Sequence, residues 1–331
     1  MFKNITIIGD GAMGTVCAML LCEKGLGVTM WGYDTAYLKQ IEAKRENVKF
    51  LPGYTLPRRL SFQTNAKAAM AAAELIVSAV PCQFTRSVWQ KLKESLPANI
   101  PIVSITKGIE NGTLLRPTEI LADVLGTDRS YACLSGPTIA DEIASGKPAT
   151  ACTASSDLAL AKGVQEAFNS SLFRVYTNED IVGVELSGAV KNVIAIAAGI
   201  IDGIDAGDNA KAALVSRGLT EIERLGVAMG AREKTFAGLS GLGDLVTTCV
   251  SPHGRNRSFG ERIGKGQTTE QALGATNSVV EGAATCQGVL ELARKYNVEM
   301  PITEAVHSVI TGQKTVSAAI HDLMSRQVKA E

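Results

Sequence analysis

The sequence has no net charge: its 331 residues hold 33 Lys and Arg against 33 Asp and Glu. Balanced charge gives no global pull toward nucleic acid or an anionic membrane. There is no CxxC pair. The seven cysteines, Cys17, Cys22, Cys82, Cys133, Cys152, Cys249 and Cys286, are odd in number and scattered. That argues against a disulfide framework and for reduced thiols in a cytoplasmic protein. Histidine is scarce: His253, His307 and His321 show no metal-ligand spacing with the cysteines, so no metal is expected. The opening MFKNITIIGDG lacks a basic region, a long apolar region and a small-residue cleavage site, so no signal peptide is expected. The longest apolar stretches are broken by Gly, Lys or Asp, which predicts no membrane insertion. Internal repeats, low-complexity tracts and flexible linkers are also missing.

What is present is an ordinary globular composition, 46% hydrophobic and 20% charged, at a length that suggests about two domains. In the first half, short β-rich runs alternate with helical ones. NITIIG (4–9), GVTMWG (27–32), ELIVSAVP (74–81), PIVSITKG (101–108), YACLSGP (131–137) and TACTAS (150–155) read as strands. Residues 12–25, 35–48 and the run QFTRSVWQKLKESL read as helices, and 50–60 reads as a loop. This alternation predicts an α/β fold, a Rossmann-like doubly wound and mostly parallel sheet. Past Asp180 the signals are almost all helical, as at 210–230, 278–297 and 300–313. The expected organisation is a dinucleotide-binding domain over 1–180 and an all-α substrate and catalytic domain over 181–331.

GDGAMG (9–14) follows a strand and opens a helix. Gly9 allows the tight turn, Gly11 the approach of a pyrophosphate, and Gly14 close helix–strand packing. The helix start then presents N–H groups and a positive dipole end to phosphate. The second strand should supply an acid for the adenosine ribose. Gly32 stands where that acid is expected; Asp34, two residues on, either serves the ribose or caps the next helix. No arginine follows at once for a 2′-phosphate, so NAD and NADP both stay open.

In ELSGAVKNVIAIAAGIIDG (185–203), Lys191 and Asn192 interrupt an apolar helix. A buried ammonium is costly unless used or neutralised. Either its stem snorkels or the lysine is a general acid/base. Asp244, in GLGDLVTTC, is a fit partner or else an N-cap, and Thr248 adds a hydroxyl. HGRNR (253–257) gathers two arginines in a polar loop, where Arg255 and Asn256 suit a phosphate. Lys107 in SITKG, and Gly136 and Thr138 in SGPT, end strands where open α/β sheets place ligands.

Together IGDGAMGT, LSGPTIADEIASGKP, GAVKNVIAIAAGIIDG, GLGDLVTTC, GRNR and VEMPIT resemble the bacterial-type NAD(P)-dependent glycerol-3-phosphate dehydrogenases along nearly the whole chain. The resemblance implies reduction of dihydroxyacetone phosphate to sn-glycerol 3-phosphate, feeding phospholipid synthesis, with NAD or NADP as cofactor. It implies Lys191 as the proton donor/acceptor, with Lys107 near the substrate beside Gly136 and Thr138. Asp244, Arg255 and Asn256 fall on substrate positions; Asn192, Thr248 and Gly254 complete the candidate set. Ala12, Met13, Tyr33, Ala140, Val279 and Glu281 fall on cofactor positions, and Lys107 and Arg255 are candidates for both ligands. Three residues depart from the pattern. Asp10 replaces a small residue in the glycine fingerprint, near where pyrophosphate is expected. Gly254 stands where many members carry serine, and Tyr33 where His or Arg is frequent. A small-molecule substrate is expected, no nucleic-acid partner, and a homodimer built on Ala/Gly-rich helices.

Overall fold

Asn4–Ile8 (β1) buries Ile5, Ile7 and Ile8 and is a central strand of the sheet. In the computed structural model, which describes residues 2–276 and 279–327, β1 pairs in parallel with Gly27–Trp31 (β2), which in turn pairs with Leu60–Phe62 (β3). On its other side follow Leu75–Ser78 (β4), Ile102–Ser104 (β5), Tyr131–Ser135 (β6), Ala149–Ala154 (β7) and Phe173–Asn178 (β8). The order of the eight-stranded sheet is β3-β2-β1-β4-β5-β6-β7-β8. Every pairing is parallel except β6 with β7. Both faces are covered, as continuous apolar strands require. Leu75 and Val77 enter one core cluster while Ile76, on the opposite face, enters the other. The strand order reverses between β1 and β4, the place where such sheets bind ligands at their carboxyl ends.

The six expected strands are all present. β3 and β8 are not legible in the sequence: β3 has three residues and begins at Leu60, inside the stretch read as a loop, and β8 is a half-exposed edge strand. The helix expected over 35–48 stops at Lys44, because Arg45 turns left-handed with φ 51°.

The chain divides into two units, Met1–Lys107 with Leu115–Glu185, and Gly108–Leu114 with Leu186–Glu331. Within the second, Asn111 Nδ2 donates to the Ala284 carbonyl at 3.0 Å, which ties the short segment to its helices. Every regular element described from Ile181 onward is helical. Helix Ile181–Gly203 enters from the first unit, where Glu185 is held by Arg116 Nη1 at 2.6 Å and by the Thr118 N–H and hydroxyl at 2.8 and 2.7 Å. By length and composition this helix is able to cross a membrane, which corrects the expectation that no run is long enough. Its apolar window is 89% buried inside the protein, the position of a core helix.

Inside the second unit, helix Ile181–Gly203 crosses helix Arg255–Gly264 backbone to backbone. A Cβ at Gly199 would lie 1.9 Å from the Arg257 carbonyl oxygen, one at Gly203 2.4 Å from that of Glu261, and one at Gly260 2.0 Å from that of Ile196. These three glycines pack against backbone within the unit.

Glu221 anchors the start of helix Pro301–Ile310. Its carboxylate accepts from the N–H groups of Ile302 at 2.6 Å and Thr303 at 3.2 Å, and from the Thr303 hydroxyl. Burial nevertheless pushes its carboxyl up to about 7 from 4.5, against those hydrogen bonds. Between these values the folded chain keeps a proton that the unfolded chain releases, so stability falls as pH rises from 4.5 to 7. The loss amounts to about 3 kcal/mol once both forms are ionised. Glu221→Gln removes this slope. Urea denaturation at pH 5 and pH 8 should show the variant gaining roughly 2–3 kcal/mol on wild type between the two. The offset from turning an amide toward the Thr303 N–H cancels in that comparison. An equal difference at both pH values would refute the account.

All seven cysteines are buried thiols outside any disulfide. Burial pushes the thiols of Cys17, Cys249 and Cys286 up to about 12, which leaves them poor nucleophiles.

Candidate active site

In the first unit, three strand ends converge on the glycine fingerprint. Gly9 has φ 118°, donates to the Trp31 carbonyl at 2.8 Å, and would drive a Cβ to 2.7 Å from the Ala79 carbonyl oxygen. Gly14 would put one 2.5 Å from the Gly9 carbonyl oxygen, so helix Ala12–Glu23 lies directly on the loop. Gly11 has open space where its side chain would be, and as N-cap it brings no side chain to the first-turn N–H groups. Those donors face a cradle with the chemistry for a pyrophosphate. Ala12 and Met13 open the helix and pack partly buried against the core.

Asn47 completes this arrangement. Wholly buried, it donates from Nδ2 to the Asp10 carbonyl at 2.8 Å and to Thr15 Oγ1 at 2.7 Å. It has no motif of its own, and only the fold brings it under the glycine loop. Asn47→Ala should weaken NADH binding about tenfold, read by calorimetry, and cost about 1–3 kcal/mol of stability through the orphaned partners. Unchanged affinity would show that the loop holds itself.

Asp34 caps helix Thr35–Lys44, its carboxylate accepting from Ala36 and Tyr37 N–H at 3.0 Å each. Of its two readings, the cap is the one in place. Asp10 is partly buried, and its Oδ2 lies over Gly32. Burial raises its carboxyl above the usual range, its own N–H opposes that, Asp34 adds to it and Lys49 reduces it. Tyr33 is exposed, with Lys91 Nζ 4.9 Å above its ring.

At the ends of β5 and β6, Lys107 Nζ donates to the Gly136 carbonyl at 3.2 Å and Thr138 Oγ1 donates to the same oxygen at 3.1 Å. Gly136 has φ 149°, and a Cβ there would meet the Thr150 carbonyl oxygen at 2.9 Å. These three candidates thus form one cluster. Ala140 opens the short helix Ala140–Ala144 just beyond it.

In the second unit, Lys191 does not snorkel. It is 5% exposed, Nζ lies 2.8 Å from Asp244 Oδ1, and it donates to Thr248 Oγ1. Thr248 in turn donates to the Asp244 carbonyl at 2.6 Å. Asp244 is 2% exposed and opens helix Asp244–Val250 straight after a π-helical turn, Leu239–Gly243. Gly241 makes that turn possible, since a Cβ there would sit 2.0 Å from the Phe236 carbonyl oxygen. Such π turns are frequent where a side chain must be re-aimed.

The loop expected at HGRNR is a correction. Arg255 and Asn256 are the first residues of helix Arg255–Gly264, with Gly254 as an N-cap that offers no side chain. First-turn N–H groups and an arginine therefore share one helix end, an anion-binding combination. Arg255 Nη1 donates to the Val279 carbonyl at 3.2 Å. Asn256 is buried, and its Oδ1 accepts from the Gly282 N–H at 2.9 Å. Gly282 also backs onto Asn192, whose carbonyl oxygen would lie 2.4 Å from a Cβ. Glu281 stands in the first turn of helix Glu281–Lys295; Ser278, the start of the expected run, lies outside the described residues.

The two halves of the chain match the models of the N-terminus and C-terminus of NAD-dependent glycerol-3-phosphate dehydrogenase over residues 4–161 and 180–321. The chain belongs to this family. Curated relatives named glycerol-3-phosphate dehydrogenase [NAD(P)+] are 45% identical over 330 residues in Chlorobium phaeobacteroides and 46% over 330 in Corynebacterium glutamicum. In each case 99% of both chains is covered. Among solved structures, the glycerol-3-phosphate dehydrogenase of Coxiella burnetii is 37% identical, with a TM-score of 0.94 over 98% of this chain and 99% of that one. Family membership makes the chain an NAD(P)-dependent oxidoreductase, and the glycine cradle has the shape that cofactor class needs.

Proposed function

We propose that the protein interconverts dihydroxyacetone phosphate and sn-glycerol 3-phosphate, with Lys191 as general acid/base. The observation that carries this reading is the Lys191–Asp244–Thr248 cluster, an ammonium buried with one carboxylate in a chain whose relatives are named for this reaction. Bound NADH or NADPH supplies the hydride that reaches C2 of the ketone. Lys191 gives a proton to the C2 oxygen as negative charge grows there, and takes it back in the reverse direction. Asp244 and Thr248 fix the ammonium, so its position costs nothing at the moment of transfer.

Arg255 and Asn256, at their helix start, grip the phosphate, whose binding energy then orients the carbonyl. Gly254 adds no hydroxyl to that grip. Lys107, Gly136 and Thr138 position the substrate. Asn192 orders the segment around Gly282. Gly9, Gly11, Ala12, Met13 and Gly14 hold the pyrophosphate, and Tyr33, Ala140, Val279 and Glu281 complete the cofactor set. In this reading 1–180 is the dinucleotide-binding domain and 181–331 the substrate and catalytic domain.

We further place the enzyme in the cytoplasm as a homodimer. The buried thiols support the first. For the second, Leu242, Val246 and Val250 are exposed at four-residue spacing, an apolar stripe suited to a partner. Sedimentation at micromolar concentration tests it, and a monomer would overturn it. The reaction is tested by loss of reduced-nicotinamide absorbance with dihydroxyacetone phosphate and each cofactor. Saturable cofactor binding without turnover would move the reading to another substrate.

A further inference from the structure

Strand β2 of a dinucleotide fold ordinarily ends in an acid that accepts from the adenosine ribose hydroxyls and repels a 2′-phosphate. Here β2 ends at Trp31 and is followed by Gly32, which has no side chain to offer. The space above Gly32 is nevertheless filled by an acid. A Cβ built on Gly32 would lie 2.6 Å from Asp10 Oδ2, 2.9 Å from its Cγ and 3.3 Å from its Cβ. The carboxylate of the glycine loop thus stands where a side chain from the strand end would begin. We propose that Asp10 replaces the missing strand-end acid, reading the adenosine ribose hydroxyls and selecting NADH against NADPH.

Three further observations support the assignment. First, the other acid nearby is committed, since Asp34 caps its helix with two hydrogen bonds. Second, the loop that carries Asp10 is fixed: Asn47 holds the Asp10 carbonyl and Thr15 together. Third, each nearby lysine lies against an aromatic ring. Lys49 Nζ lies 4.9 Å from the Phe50 ring centroid and 5.8 Å from that of Tyr37. Lys91 Nζ sits over the Tyr33 ring and donates to its hydroxyl at 2.8 Å. A 2′-phosphate would meet Asp10 before it could draw either ammonium away, whereas a 2′-hydroxyl would find an acceptor. The same geometry explains how an acid is tolerated in the fingerprint: its carboxylate lies toward the end of β2.

The inference rests on the NAD(P)-dependent reading and is tested by equilibrium binding. Calorimetry on the full-length protein would give Kd for NADH and NADPH at one ionic strength. Wild type should bind NADH at least about tenfold tighter. Asp10→Ser should shrink that ratio about tenfold or more, chiefly by strengthening NADPH binding. Asp10→Ser/Gly32→Asp, which returns the acid to the strand end in the vacated space, should restore it. If thermal unfolding shows that Asp10→Ser is not folded, Asp10→Asn keeps the shape without the charge and carries the same expectation. Equal or tighter NADPH binding by wild type would overturn the proposal, as would a variant ratio within about twofold of wild type. Binding of neither nucleotide would instead defeat the dehydrogenase reading itself.

Discussion

Lys191→Ala is expected to lower kcat/KM for dihydroxyacetone phosphate by about 10²–10⁴-fold, the usual contribution of a positioned general acid. Truncation alone does not prove that role. It also leaves Asp244, 2% exposed, as a buried carboxylate without its cation, at a cost of about 3–5 kcal/mol. Lys191→Arg separates the two effects. It keeps a cation for Asp244, but a guanidinium does not give up its proton in a protein. It should therefore retain more stability than Lys191→Ala while losing comparable activity. Asp244→Asn should reduce kcat less than Lys191→Ala, since Asp244 positions the ammonium and transfers no proton itself. Lys191→Met/Asp244→Leu should be less destabilised than the sum of its single changes, because no unpaired charge remains buried. Urea denaturation and steady-state kinetics on the same preparations check all four. A Lys191→Arg enzyme that turns over near the wild-type rate would eliminate Lys191 as the proton donor.

Gly260→Ala and Gly199→Ala should be among the most damaging single methyls in the second unit. At Gly260 the added carbon would sit 2.0 Å from the Ile196 carbonyl oxygen, and the same methyl at Gly199 would sit 1.9 Å from that of Arg257. Both obstacles are backbone, which cannot rotate away. The two helices must separate, losing contacts along their whole crossing. A cost of at least roughly 3 kcal/mol is expected for each, the upper end for overpacking. Activity should fall beyond the loss of folded protein, because the crossing fixes Lys191 on one helix relative to Arg255 and Asn256 on the other. Gly274→Ala is the control. It lies in helix Thr269–Gly274 with open space around its Cα. There alanine should be neutral or stabilising by up to about 1 kcal/mol. Thermal and urea unfolding measure both. A Gly260→Ala protein as stable as Gly274→Ala would show that the crossing relaxes freely.

Much of this was legible beforehand, for identifiable reasons. The alternation of apolar strands and helices marked a parallel sheet, because a strand buried on both faces must be apolar throughout. GDGAMG could be placed because a strand precedes it and a helix follows. Lys191 stood out because an ammonium in an apolar helix is expensive. Other features could not be read along the chain. Asn47 and Glu221 look like any polar residue until the fold brings unpaired backbone groups to them. HGRNR looked like a loop because its helix is short and starts without a capping side chain.

Local composition and spacing thus determined most of the sheet, the glycine cradle and the helical second half, because each rests on residues close in sequence, and the motifs carried the family resemblance. Only the tertiary structure decided which charges meet. It joined Lys191 to Asp244 across 53 positions of chain, caught Asp34 in a helix cap, and laid the Asp10 carboxylate over Gly32. Such pairings depend on distances of a few ångströms between segments far apart in sequence, which packing sets and residue order does not encode locally.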